Sequence, residues 1–214
     1  MNEKTAKKLL KKVIEDYNSI SDEFDQTRKN EWKEFEDFLP HIKDGQNIAD
    51  IGCGNGRFYA FLKKSQKKVN YTGVDNSKKL LEKAKKEYKA NFIYGDLLKI
   101  PLKDETQDVV VSIAALHHIP TEKLRKKTIS NFHKILKRDG ILIITVWNLH
   151  QPKYEKYIGN KYGPQDALIP WGKSGIERYY YVFEPEELKG LLEEKFEVIK
   201  FYKENNFVFI CRKK

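Results

Sequence analysis

The sequence predicts an α/β fold, a doubly wound, seven-stranded and mostly parallel sheet with helices on both faces. Three observations carry that expectation. Apolar, β-branched runs alternate with helical stripes from residue 47 to residue 147, the pattern of repeated β-α-β units. A glycine-rich loop, residues 50–56, sits where the first apolar run gives way to a helix. Two apolar runs near the carboxyl end, 196–202 and 207–211, flank the polar turn Lys203-Glu204-Asn205-Asn206, so the last strand is expected to be antiparallel.

Residues 4–17 carry Leu9, Leu10, Val13, Ile14 and Tyr17 at helical spacing. Residues 21–39 read as a second helix, capped by Ser21 or Asp22, with Phe24, Trp32, Phe35, Phe38 and Leu39 as its apolar set and Pro40 closing it. Strands are expected at 47–51, 69–74, 91–94, 108–113 and 141–147. Between them run a helix from Arg57, one capped by Asn76/Ser77 and ending at Tyr88, and one over 121–136. Arg138-Asp139-Gly140 reads as a turn, and Pro185 opens a last helix that runs to Glu194. The stretch 148–183 is too long for a plain connection, and such stretches in compact domains are usually lids or binding elements.

One domain, 1–214, is therefore expected, made of amino-terminal helices (1–40), a core (46–147), a lid insertion (148–183) and a helix with a hairpin (184–214). A chain of 214 residues buries enough surface to need no disulfides. Its two cysteines, Cys53 and Cys211, suit a reducing compartment. The charged amphipathic start does not read as a signal sequence, and no apolar run reaches the ~18 residues of a membrane span. A cytoplasmic location without membrane contact is expected. The net charge of +10, from 41 basic and 31 acidic residues, suits a polyanionic partner such as RNA as much as a well-solvated surface.

The loop Asp50-Ile51-Gly52-Cys53-Gly54-Asn55-Gly56 lets a ligand approach bare backbone, and the helix starting at Arg57 offers free N–H groups to an anion. Its glycines alternate with single residues, whereas a dinucleotide fingerprint has two residues before its last glycine. The spacing favours a smaller anion, such as an amino-acid carboxylate. Asp75 ends the second strand, where a carboxylate can accept both hydroxyls of a ribose, and Gly95-Asp96 ends the third, beside Leu97, where one can accept an adenine amino proton.

These residues, followed by Asp108 to His118 and Arg138-Asp139-Gly140-Ile141-Leu142, resemble in order the class I S-adenosylmethionine-dependent methyltransferases of the type-11 kind. The resemblance implies the strand order 3-2-1-4-5-7-6 and S-adenosylmethionine as cofactor. It places cofactor contacts at Asp50, Gly52, Cys53, Gly54, Asn55, Gly56, Asp75, Asn76, Gly95, Asp96, Leu97 and Ala114. A narrower likeness runs through Tyr17-Asn18-Ser19-Ile20, Phe24 to Arg28, Trp32, Ser112 to His118, Val146-Trp147, Leu168 to Trp171 and Arg178 to Phe183. These segments look like those of the tRNA methyltransferases that esterify 5-carboxymethyluridine at the wobble position, some of which act with a small activating protein partner.

Methylating a carboxylate requires no base, because that nucleophile is already ionised at neutral pH. It requires a holder, and a bidentate arginine suits the task. Arg28 and Arg178 are the candidates, on the two segments free to roof the site. His117 is expected to contact substrate, as a donor or as a base for a less acidic acceptor. His118 beside it is expected to pack or to shape the loop. Adjacent histidines are expected to point apart, and no metal site is expected. Trp147, Trp171, Tyr179 and Tyr180 suit either a stacking platform for an unpaired base or an aromatic core. Cys53 reads as a small wall residue. A small-molecule O-methyltransferase acting on a carboxylate or phenol, and a non-catalytic cofactor-binding protein, remain the alternatives.

Overall fold

The computed structural model describes residues 1–214. Five parallel strands form the centre of the main sheet: β1 (Asn47–Ile51), β2 (Asn70–Asp75), β3 (Asn91–Tyr94), β4 (Gln107–Ile113) and β5 (Leu136–Trp147). A separate three-stranded sheet, β6 (Ile158–Asn160), β7 (Gly163–Pro170) and β8 (Glu177–Tyr181), occupies the insertion. The chain ends in the antiparallel pair β9 (Phe196–Lys203) and β10 (Asn206–Lys213). The main sheet runs β3-β2-β1-β4-β5-β10-β9, with β10 antiparallel to β5, which is the expected order once the insertion's strands are set aside.

Helices cover both faces, because side chains alternate along every strand. On one face Ala49, Val110, Leu142, Ile144, Phe207 and Phe209 meet α1 (Glu3–Ser19), α5 (Glu122–Ile135) and α7 (Pro185–Glu193), with the four-residue α6 (Pro152–Glu155) on the insertion. On the other, Ile48, Val109, Val111, Ile143, Val208 and Ile210 meet α3 (Arg57–Lys64), α4 (Lys78–Glu87) and a 3₁₀ helix, Lys33–His41. Ser77 and Thr121 cap α4 and α5 by accepting from the amides of Leu80 and Leu124. No helix is long and apolar enough to cross a membrane.

Two expectations are corrected. The helix expected over 21–39 is split into α2 (Ser21–Thr27) and the 3₁₀ helix, and neither Ser21 nor Asp22 caps α2, since Ile20 holds the cap position. The reason lies in the aromatic set. Phe24 packs on Trp171, at 5.9 Å between ring centres, while Phe35 packs on Phe58 and Phe61 at 5.3 and 5.4 Å, and a single straight helix cannot present both. Pro40 lies inside the 3₁₀ helix, where its missing N–H is tolerated near the end. Arg138-Asp139-Gly140, expected as a turn, is an irregularity within β5. Asp139 takes a φ of 58°, and the pairing with β4 shifts register between Gln107 and Val109.

The Phe35 ring is fully buried among Trp32, Phe38, Phe58 and Phe61. Phe35→Ala is expected to lower the unfolding free energy by about 3–5 kcal/mol, measured by urea titration with far-ultraviolet circular dichroism. A loss below about 1 kcal/mol would show that the ring is not a core element.

Candidate active site

Strand β1 delivers the glycine loop, and α3 departs from it. Gly52 and Gly54 take φ values of 88° and 55°, a region that side chains disfavour. Gly52 is excluded from any larger residue twice over, since an added Cβ would stand 2.6 Å from that of Ala115. At Gly54 an added Cβ would make only ordinary contacts, with Phe24 at 3.6 Å and Leu80 at 3.9 Å, so its positive φ, not crowding, is what asks for glycine. Asp75, at the end of β2, fixes the loop. One of its oxygens accepts from the Gly54 amide (2.8 Å) and the other from the Ser77 amide at the start of α4 (2.7 Å). Burial lifts its pKa against those donors.

A cavity opens at the carboxyl ends of β1 to β4, as open α/β sheets arrange their ligand sites. Asp50, Gly52, Cys53, Gly54, Asn55, Asp75, Asn76, Asp96, Leu97 and Ala114 all line it, and so do Arg28, His117 and Arg178. Gly56 and Gly95 lie outside the lining. Gly56 caps α3 against Phe92, and Gly95 leaves room for Pro101. The Asp96 carboxylate accepts from the Asn76 amide side chain (2.9 Å) and from the Leu98 N–H (2.7 Å), which fixes it at the cavity edge. Ala114 takes a φ of 53°, uncommon for a residue with a Cβ, and its N–H is held by the Thr145 hydroxyl and carbonyl, both at 3.0 Å. Burial pushes the Cys53 thiol up, which leaves it a neutral wall residue.

Asp50 is 1% exposed. Tyr71 donates to its Oδ2 at 2.7 Å, but Oδ1 has no partner. Burial, with the Asp75 charge nearby, raises its pKa to about 7. A buried oxygen without a donor at the wall of a cavity suits a cationic group such as an ammonium.

The two histidines do not point apart as expected. Their rings touch edge to face with centres 4.5 Å apart, because both lie in one 3₁₀ turn, Leu116–His118. His117 Nδ1 accepts from the Trp147 backbone N–H (3.2 Å), so Nε2 carries the proton of the neutral ring. Burial, then His118 and Arg178, hold its pKa well below the usual imidazole range. His117 is therefore built as a donor, not as a base. His118 is oriented oppositely: Nδ1 donates to the Tyr179 carbonyl (2.7 Å) and Nε2 accepts from the Tyr17 hydroxyl (2.9 Å). Burial above all takes its pKa down to about 3. No group of three or more His, Cys, Asp or Glu side chains is gathered as a metal would need.

Arg178, on β8, is 4% exposed. Its guanidinium lies over the rings of Trp171 (4.7 Å), Tyr180 (5.2 Å), Trp147 (5.6 Å) and Tyr17 (6.0 Å). Its one hydrogen bond is long, 3.5 Å to the Tyr17 hydroxyl, and no carboxylate pairs with it. Its Nε, the Trp171 indole N–H and the Tyr180 hydroxyl are all buried without partners. Arg28 reaches the Trp171 ring at 4.9 Å and donates only to the Thr27 carbonyl, at 3.4 Å. Tyr179 is fully buried with its hydroxyl donating to Asp166, so it belongs to the core; Trp147 is half-buried at the cavity wall.

Sequence reasoning passed over two site residues. Arg57 was read as a helix start, yet it lines the cavity and lies 4.5 Å over the Trp32 ring. Tyr71 was read as one strand residue among others. Leu10, Val13 and Tyr17, read as a helical stripe, face the cavity as well. The stripe signals burial but does not distinguish a protein neighbour from a ligand.

A family model described as a methyltransferase domain matches residues 49–144. A candidate methyltransferase of Encephalitozoon cuniculi is 31% identical over 180 residues, covering 83% of this chain and 81% of its own length. The tRNA (carboxymethyluridine(34)-5-O)-methyltransferase of Schizosaccharomyces pombe is 31% identical over 177 residues, covering 81% of this chain and 73% of its own. The Arabidopsis thaliana protein of that name is 30% identical over 162 residues, 71% of this chain, but the chain spans only 39% of its length. Among solved structures, an S-adenosylmethionine-dependent methyltransferase of Methanosarcina mazei superposes with a TM-score of 0.74 at 22% identity, covering 82% of this chain and 96% of that one. A candidate methyltransferase of Haloferax volcanii, solved in complex with the Trm112 methyltransferase activator, has a TM-score of 0.73 at 14% identity, with 94% and 97% covered.

The elevated Asp50 pKa has a consequence for stability. An unfolded aspartate titrates near about 3.9, whereas folded Asp50 titrates at about 7. Between those values the folded chain holds the extra proton, so Asp50 makes stability fall as pH rises through the window. Asp50→Asn is expected to flatten that slope between pH 5 and pH 7 in urea titrations. An unchanged slope would show that Asp50 titrates normally.

Proposed function

The chain belongs to the S-adenosylmethionine-dependent methyltransferases, and from that premise we propose that it methylates the carboxylate of 5-carboxymethyluridine at the wobble position of tRNA. The observation that carries the proposal is Arg178, a buried guanidinium without a counter-ion, facing the cavity amid aromatic rings. An unpaired buried charge is costly, and an incoming carboxylate removes that cost.

The cavity fits the cofactor. Asp50 Oδ1 is a buried acceptor without a donor, on the cavity wall beside Gly52 and Gly54. Asp50 and the loop Gly52-Cys53-Gly54-Asn55 would hold the amino-acid end, and Asp75 the ribose. Asn76, Asp96 and Leu97 would border the adenine, with Ala114 at the wall. Gly56 and Gly95 would serve by shaping the turns behind it. Bound there, S-adenosylmethionine supplies an electrophilic methyl group on a sulfonium centre.

The chain's remaining work is orientation. Arg178 holds the acceptor carboxylate, with Arg28 at the outer edge. His118 Nδ1 donates to the Tyr179 carbonyl, so its Nε2 accepts from the Tyr17 hydroxyl, and the Tyr17 oxygen stays available to the Arg178 N–H. His117 Nε2–H donates toward the cavity. No group accepts a proton, and with a carboxylate acceptor none is needed. The largely apolar inner wall, Leu10, Val13 and Phe24 among it, would also admit a small-molecule carboxylate, which is the second reading. The relatives' names and the charge of +10 favour tRNA. A small partner of the kind bound by the Haloferax volcanii neighbour, and a cytoplasmic location, belong to the same proposal.

The test uses the purified chain, labelled cofactor and tRNA from a strain lacking the gene, with and without a Trm112-type partner. A base-labile methyl ester on tRNA is expected, and no incorporation in either arm overturns the proposal. Arg178→Ala is expected to reduce turnover by about 100-fold while calorimetry shows cofactor affinity unchanged. Equal loss of cofactor binding would remove Arg178 from the acceptor side.

A further inference from the structure

A second, polar cavity opens outside the first and shares four wall residues with it: Arg28, Trp32, Arg57 and Trp147. We infer that this vestibule is a binding site for the phosphodiester backbone of single-stranded nucleic acid, holding the stretch next to the nucleotide whose carboxylate reaches Arg178. The inference rests on the tRNA reading above and deepens it.

Charge is the first argument. Three cations line the vestibule, Arg28, Arg57 and Lys153. It also holds two carboxylates: Glu31 pairs outside it with Lys64 at 2.9 Å, and buried Glu34 accepts from the side-chain amide of Asn206, on the same wall, at 2.9 Å. The cations are held by rings instead of by acids. Arg57 lies over Trp32 at 4.5 Å, Arg28 over Trp171 at 4.9 Å and Lys153 over Tyr154 at 4.9 Å. A ring fixes a cation's position without satisfying its N–H donors.

Proximity is the second. Burial, and then the neighbouring charge of Arg28, hold Arg57 down to about 10. Asp50 and Glu34 act on Arg57 in the opposite sense, each more weakly than the Arg28 charge, and a bridging anion relieves what remains between the two guanidiniums. Interleaved aromatic and cationic side chains along a groove are the chemistry of single-stranded nucleic-acid sites. Continuity is the third. Trp147 lines both cavities, so a chain lying in the vestibule can send one nucleotide's substituent inward.

Lys153 gives a clean test, since it is exposed and lines only the outer cavity. Binding of an anticodon stem-loop RNA carrying 5-carboxymethyluridine is measured by fluorescence anisotropy from 50 to 200 mM salt, beside methyl transfer to that RNA and to the free nucleoside. Lys153→Ala is expected to reduce the slope of log Kd against log salt by about 0.7 and to raise the KM for RNA. The KM for the nucleoside stays unchanged, and Lys153→Arg restores the slope. An unchanged slope, or an equal change with the nucleoside, overturns the inference. RNA binding with the expected Lys153 effect but no methyl transfer sinks the wobble reading and leaves the vestibule standing. Absence of RNA binding by the wild-type chain sinks both.

Discussion

Asp75 accepts the Gly54 amide from one strand-to-helix turn and the Ser77 amide from the next, and the cavity depends on that double hold. Three of the loop's seven residues are glycines, with no side chain to brace them. Gly52 and Cys53 already donate to the Val74 carbonyl on the neighbouring strand, and Asp75 extends that anchorage to Gly54. The same contact fixes the start of α4, where the Asn18 side chain accepts from the Ser77 hydroxyl and so ties α1 into the arrangement. Asn55 reaches Asp25 on α2 in the same way, at 3.0 Å. A loop chosen for bareness is thus positioned by polar groups around it.

The side of the cavity around Arg178 obeys a different rule. It is assembled from α1, α2, the turn after β4, the end of β5 and the insertion, segments that meet only in the folded chain. Their meeting places one guanidinium among four rings and leaves its charge unanswered. The insertion is therefore more than a cover. Its small antiparallel sheet, with Ala167, Ile169, Tyr180 and Val182 as core, is the rigid mount on which Arg178 is held. Rigid mounting matters where the protein's contribution is orientation rather than proton transfer.

The sheet was legible in the sequence because period and glycine placement are local signals. Residues 47–147 and the terminal hairpin announced themselves by alternation and by turn chemistry. The break after Thr27 was not legible, because Phe24, Trp32, Phe35 and Phe38 satisfy a single helical stripe until one knows that they serve different neighbours. The length of 148–183 marks it as a lid or binding element, but its three strands carry no clear alternation of their own and were not legible. Of the site, the cofactor side could be read as a pattern of glycines and acids. The role of His117 could not, since it turns on which nitrogen the Trp147 backbone N–H occupies. Nor could the state of Arg178, since its isolation is a fact about residues up to 161 positions away.

All three tryptophans of the chain stand at or beside the two cavities, Trp32 packing against the core around Phe35 and Trp147 ending β5. Trp32 and Trp147 line both cavities, and Trp171 lies under the guanidiniums of Arg28 and Arg178. The protein's indole emission consequently originates in the region where acceptor recognition is placed. Quenching or spectral shift on titration reads events there without any attached dye. By the same token, an emission change on heating records both the loosening of this region and, through Trp32 and Trp147, the loss of the core and of the end of β5 that they pack against or belong to.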